Sequence, residues 1–249
     1  MRMGTVMRNA LSLGGAALLA VVLAAPAGAQ EGTVFATGSV DGNETGIGLL
    51  GVSVRGSGFG LKPVGVLQGY YLQYTVPASP DQDSTVNLIG FQPQVGLGWY
   101  GLGGSVEARV GYNLVSGQDE GNEGDDEPVF EGEAGGSGVT TTLQAQTWAT
   151  RPELFGLATY NWGEQYLYTQ AQALVPLGRL GLGAEAVWQQ QTGAEGDAIN
   201  YQSTSFGPVV RLGLSTESSV SFAGGYKDDN VRDPTWYARL TFVRWGIGF

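Results

Sequence analysis

An alternation of apolar and polar residues with period two recurs along this 249-residue chain and limits what it can become. Successive side chains of a strand point to opposite faces, so a period-two run commits one face to an apolar surrounding. In "SVEARVGYNLV", Val106, Ala108, Val110, Tyr112 and Leu114 share one face, while Glu107, Arg109, Gly111 and Asn113 share the other. "LGLGAEAVWQQ" repeats the pattern, with Leu180, Leu182, Ala184, Ala186 and Trp188 opposite Gly181, Gly183, Glu185 and Gln189. Helix-period segments are missing beyond residue 30, and the 42 glycines weigh further against helices. The alternation predicts twelve strands, near 32–40, 45–55, 64–76, 85–99, 104–115, 139–149, 154–161, 165–175, 180–191, 204–214, 219–227 and 235–249.

The connections between these runs alternate in character. Short turns ("GSGFGLKP", "YGLGG", "TRPE", "PLGR", "STES") follow the even-numbered strands. The long or acidic links follow odd-numbered ones: "PASPDQDS", residues 117–138, "TGAEGDAINYQS" and "DDNVRDP"; "DGNE" and "WGE" on that side are short. Short turns at one end and longer loops at the other mark an all-β fold, a transmembrane antiparallel up-and-down β-barrel of about twelve strands. Charge divides the same way. The loops on the long side hold eighteen acids against Lys227 and Arg232, while the short-turn end is close to neutral. Aromatics also collect at strand ends, as interfacial belts require. Trp99, Tyr100, Trp148, Trp245 and Phe249 fall at the short-turn end. Tyr74, Trp162, Tyr166, Tyr168, Trp188, Trp236 and Tyr237 fall at the other.

The opening "MRMGTVMRNALSLGGAALLAVVLAAPAGAQ" reads as an export signal. Arg2 and Arg8 precede an apolar run from Ala10 to Ala25, and Ala27-Gly28-Ala29 places small residues where a signal peptidase reads. The run is shorter than the ~20 residues a helical span needs. Cleavage before Gln30 would leave residues 30–249 as one barrel domain, with 10 basic and 23 acidic residues. That balance argues against nucleic acid as a partner.

The chain has neither His nor Cys. This excludes Ser-His and Cys-His nucleophile pairs, histidine metal sites and imidazole acid–base chemistry, and leaves no disulfide. No spacing of carboxylates points to an active site, so no catalytic residue, metal site or cofactor is assigned.

The most acidic stretch, "GQDEGNEGDDEPVFEGEAGGSG", carries Asp119, Glu120, Glu123, Asp125, Asp126, Glu127, Glu131 and Glu133 with no base. As a calcium loop it fails: with Asp119 first, Gly121 falls third and Phe130 twelfth, where a bidentate Glu belongs. It is expected to be the longest outer loop, solvated, and able to associate loosely with divalent cations. "GLGWYGLGG" has a phosphate-loop spacing, but no base follows and no helix is available. Its glycines fit instead as small inward residues that admit bulkier neighbours. Pro93 removes a ladder donor in mid-strand and predicts a bulge.

Glu107, Arg109, Glu185, Arg211 and Arg244 each lie about five residues from the short-turn end. Five residues climb roughly 13 Å on a tilted strand, so the five are expected to face inward at one height. Such a ring either fills the lumen as a neutral cluster or narrows it to select what passes. Glu185 and Arg211 are expected to pair.

The last strand, "WYARLTFVRWGIGF", ends on Phe249 with Ile247, Trp245 and Val243 placed on the same face. It resembles the terminal strand of Gram-negative outer-membrane β-barrels, and that resemblance implies recognition by the barrel-assembly machinery. Arg244 stands where that signal usually has glycine. "GYKDDNVRDPTWYARL" resembles the last hairpin of an outer-membrane family linked to cellulose biosynthesis. The expected function is non-enzymatic: a narrow channel for small or cationic solutes or glycan fragments. A structural or adhesive barrel that presents the acidic loop to surface polysaccharide is one alternative, and a secreted soluble β-protein is another.

Overall fold

The structure, a computed structural model, describes residues 30–43, 45–79, 82–120, 137–148, 150–192 and 201–248. The expected signal segment, residues 121–136 of the acidic loop, and Phe249 lie outside the described residues. The strands are β1 (Gln30–Asp41), β2 (Gly46–Gly56), β3 (Gly60–Ser79), β4 (Gln82–Tyr100), β5 (Gly104–Glu120) and β6 (Gly138–Thr147). They continue with β7 (Glu153–Asn161), β8 (Tyr166–Leu177), β9 (Leu180–Gln191), β10 (Tyr201–Gly213), β11 (Ser218–Asp229) and β12 (Thr235–Gly248). Each strand pairs with its sequence neighbours, and β1 pairs antiparallel with β12 to close the barrel. The sequence expectation of twelve antiparallel up-and-down strands holds.

Closure leaves no sheet edge, so the strand backbones satisfy one another around the circle. The short connections use glycine where the backbone must turn. Gly178 has φ 71° in the two-residue link 178–179, a conformation open to glycine without steric cost. Three strands run well past the ~9–11 residues that cross a bilayer. β3 and β4 stay paired up to Ser79–Gln82, so most of "PASPDQDS" belongs to an extended hairpin rather than a loop. Residues 117–120, expected in the acidic loop, carry the backbone of β5 up to its pairing with Thr85.

Alternation sorts the side chains by face. Val106, Val110, Tyr112, Leu143, Leu154, Val175, Phe206, Val210, Phe222 and Leu240 are all exposed on the outside. Strand neighbours of opposite parity, among them Gln94, Glu107, Asn113, Thr140, Thr142, Glu185 and Ser205, are buried inside. An apolar exterior around a polar interior is the arrangement of a barrel in lipid, the reverse of a soluble domain.

Two apolar patches interrupt the interior: Leu174, Val209, Ala223 and Tyr237 on one wall, and Val64, Val66 and Tyr100 with Phe35 on another. Glycines make room for the rings. A Cβ at Gly51 would strike the Phe35 ring, and one at Gly90 the Tyr70 ring. Of the glycines in "GLGWYGLGG", Gly98 takes the expected role, since a Cβ there would strike the Tyr100 ring, whereas Gly104 precedes the buried Ser105 and has the opposite parity.

Two expectations need correction. Pro93 causes no bulge: the β4–β5 register is the same on both sides of it, and bridges are missing only between Phe91–Leu114 and Gln94–Gly111. Proline removes one donor on the β5 side, which the strand tolerates without changing step, and Pro208 does the same between β10 and β11. The aromatic belts are thinner than height alone suggested. Trp99, Trp148, Trp162 and Trp236 are exposed at the barrel ends, but Tyr100 and Tyr237 are buried, and Tyr166 and Tyr168 have inward parity. Position along a strand gives height, whereas parity decides which side is wetted by lipid.

Leu143 is 60% exposed at the middle of β6. Leu143→Arg should cost roughly 2–4 kcal/mol if that side chain meets hydrocarbon. Equilibrium unfolding of protein reconstituted in lipid measures it, and an unchanged unfolding midpoint would place Leu143 away from the membrane.

Candidate functional site in the barrel interior

The inward charges gather into separate networks on opposite walls rather than one ring. On β5, two residues on the same inward face, Glu107 and Arg109, form an ion pair at 3.0 Å, each side chain only 7% exposed. Tyr100 from β4 donates to Glu107 at 2.9 Å, and Arg109 donates onward to Gln144 of β6 at 3.1 Å. Below them Arg55 lies 4.4 Å over the Tyr100 ring and pairs with Glu31 at 2.7 Å. An arginine over a tyrosine face keeps its charge favourably placed while it remains bonded to a carboxylate.

The opposite wall is organised by Glu185 of β9, whose side chain is 1% exposed. Its partner is Arg239 of β12, across the intervening β10 and β11; Gly207 of β10 stands opposite Glu185, and Gly225 of β11 stands opposite Tyr237, one inward position from Arg239. Two glycines in succession let a carboxylate and a guanidinium meet over strands that would otherwise hold them apart. Tyr237 donates to Glu185 at 3.2 Å, Gln172 at 3.4 Å, and Arg239 also donates to the Tyr168 hydroxyl at 3.3 Å. A buried carboxylate with several donors is held in one place.

Of the five residues expected in one ring, Glu107, Arg109 and Glu185 are deep in the interior. The expected Glu185–Arg211 pair does not form. Register places Glu185 opposite Gly207, while Arg211 lies opposite Gly181, four residues lower on β10. Four residues are about 13 Å along a strand, beyond the reach of the pair. Arg211 instead meets Glu153, at the start of β7, at 2.5 Å. Arg244 is exposed and has the outward parity of Leu240, opposite Val34 and Ser218. Near the rim an outward arginine costs only ~0–1 kcal/mol, because its head reaches water.

The terminal face is also corrected. A register shift at Gly246, where φ is 73°, puts Trp245 opposite Thr33 and Ile247 opposite Gly32. Val243 and Trp245 keep one parity, and Ile247 takes the other.

Sequence reasoning missed Arg239. Its signal was present: Trp236, Leu240 and Phe242 alternate with it in the last strand. It also missed the pair of Lys227 with Asp41 near the long-loop end, and the interior amides Gln68 and Gln92, which bond each other. Among the described residues no group of three or more carboxylates could hold a metal ion. Of the acidic stretch, Asp119 and Glu120 lie in β5, and the remaining six carboxylates lie outside the described residues.

Since Glu185 and Arg239 are buried together, Glu185→Gln should destabilise the barrel by roughly 3–5 kcal/mol, and adding Arg239→Gln should recover much of the loss. Adding Arg211→Gln to Glu185→Gln should recover none of it. Thermal unfolding of the three variants in detergent separates the two partners. Recovery by Arg211→Gln would show that the β9–β10 register is wrong.

No family model matches the sequence, and no curated protein does. Among solved structures, the fold is similar to the translocator domain of the autotransporter NalP from Neisseria meningitidis, with TM-score 0.50 and 12% identity over 94% of this chain and 95% of that one. It is similar also to the β domain of the Bordetella autotransporter Brka, with TM-score 0.50 and 14% identity over 88% of this chain and 99% of that one. At such identities the likeness is one of architecture: this chain is a closed antiparallel β-barrel whose fold resembles those two domains.

Proposed function

We propose that this protein is a non-enzymatic barrel of the bacterial outer membrane that passes small solutes through a narrow lumen. One observation carries the reading: an apolar exterior surrounds an interior of amides, hydroxyls and phenols in which the charges cancel locally. A barrel needed only as an anchor can fill its interior with aliphatic side chains. An interior lined by hydrogen-bonding groups in place of an aliphatic filling suits a passage for polar solutes.

The acidic outer loops would raise the local concentration of cations, and the paired charges below would restrict the bore. Insertion would use the last strand, read by the barrel-assembly machinery. The eight carboxylates of the 117–138 stretch favour a second reading, in which the barrel presents that loop to surface polysaccharide through bridging divalent cations.

Purified protein in a planar bilayer should give small, stepwise KCl conductances. Glu107→Ala combined with Arg109→Ala should raise the step several-fold, because it removes two large side chains from the inner wall. A wild-type protein that inserts but never conducts would leave the surface-presentation reading in its place. Deleting Phe249 should abolish heat-modifiable, membrane-inserted protein in cells. Normal insertion of that variant would show that the terminal aromatic is not an assembly signal.

A further inference from the structure

The wall formed by β4, β5 and β6 carries three inward, buried polar atoms that have no hydrogen-bond partner among the described residues: Gln94 Oε1, Arg109 Nε and Thr140 Oγ1. Chance would scatter such atoms, but these are neighbours. Gln94 and Thr140 are both register partners of Gly111, one from each side. Gly111 contributes no side chain between them, and the Gln94 stem leans over it. Arg109 is the next inward residue along β5, and its register partner Thr142 is the next along β6. Thr140 is 1% exposed and Gln94 5%, so neither is a rim group awaiting bulk water. Tyr70, hydrogen-bonded to Asn113 at 3.0 Å, flanks the same wall with its ring.

We infer that this wall binds a neutral, hydroxyl-rich solute of the saccharide or polyol class as it occupies the lumen. The inference rests on the channel reading and names its permeant. The three free atoms are an acceptor, a donor and a group that can be either, and a hydroxyl is both donor and acceptor. Adjacent hydroxyls on one sugar ring can therefore satisfy an amide oxygen and a guanidinium nitrogen together. An ion gains less here. Arg109 is already neutralised by Glu107, so a charged solute would give up its hydration without meeting an uncompensated partner. The tyrosine ring offers an apolar flank of the kind that polar ligand sites use for orientation.

Polar groups left unpaired for a ligand are a burden on the empty protein, and this separates binding from a structural role. Thr140→Val and Gln94→Met nearly preserve shape and remove one free group each. In the full chain purified in detergent, glucose and sucrose should bind saturably by titration calorimetry. Affinity should fall about tenfold in each variant, while the unliganded melting temperature rises or holds. Glucosamine and gluconate, charged and of similar size to glucose, should bind at least about fivefold more weakly than it.

Absent saturable sugar binding, undiminished binding in both variants, equal binding of the charged analogues, or a large fall in melting temperature with either substitution each overturns the inference. Proteoliposome swelling and KCl conductance distinguish the two levels. Conductance without sugar binding sinks the inference and leaves the channel. Variant-sensitive sugar binding with neither swelling nor conductance upholds the wall and removes the channel.

Discussion

The backbone hydrogen bonding between β1 and β12 is the constraint on which the rest depends. In hydrocarbon an unpaired N–H or C=O costs several kcal/mol, so a spanning sheet must close on itself. Closing fixes register around the whole circle, and register fixes which side chains share a row. Glu185 reaches Arg239 over two strands that present the small residues Gly207, opposite Glu185, and Gly225, opposite Tyr237. A slip of one residue in β10 or β11 would turn its glycine outward and bring Phe206 or Tyr226 in.

The interior manages charge by local cancellation. Glu107 with Arg109, Glu185 with Arg239, and Arg211 with Glu153 each form a pair whose partners come from one strand or from strands that the barrel brings together. Such pairs add little net stability compared with apolar packing, yet breaking one is costly because the survivor stays buried. They therefore fix the relative placement of the walls more than they strengthen them, and they leave a lining with little net field.

Much of the fold was legible in the sequence because its determinants are local. Alternation in 104–115 and 180–191 announced both faces of β5 and β9, and short glycine-bearing turns announced the hairpins. The site was legible only in part. Glu107 and Arg109 sit on one strand, so alternation alone placed them together. The partner of Glu185 depends on the cumulative stagger of four strands, which residue counts from nearby turns do not contain. Parity counted back from the final residues of the last strand turns Arg244 inward and Arg239 outward, because Gly246 breaks step; counted from Leu240, Arg239 is the inward arginine.

The seam between β1 and β12 also sets a kinetic problem. Thr37 and Leu240, bonded across it, are 203 residues apart in the chain, whereas every other ladder joins strands adjacent in sequence. Hairpins can form early and independently, but the seam must find its register after nearly all of them exist, with a large loss of chain entropy. Until then both terminal strands offer unpaired edges to any other strand nearby. The slow, error-prone event in the life of this molecule is thus a single zippering step. The register shift beside Gly246, at the far end of that zipper, accommodates one extra residue without undoing the pairs already made.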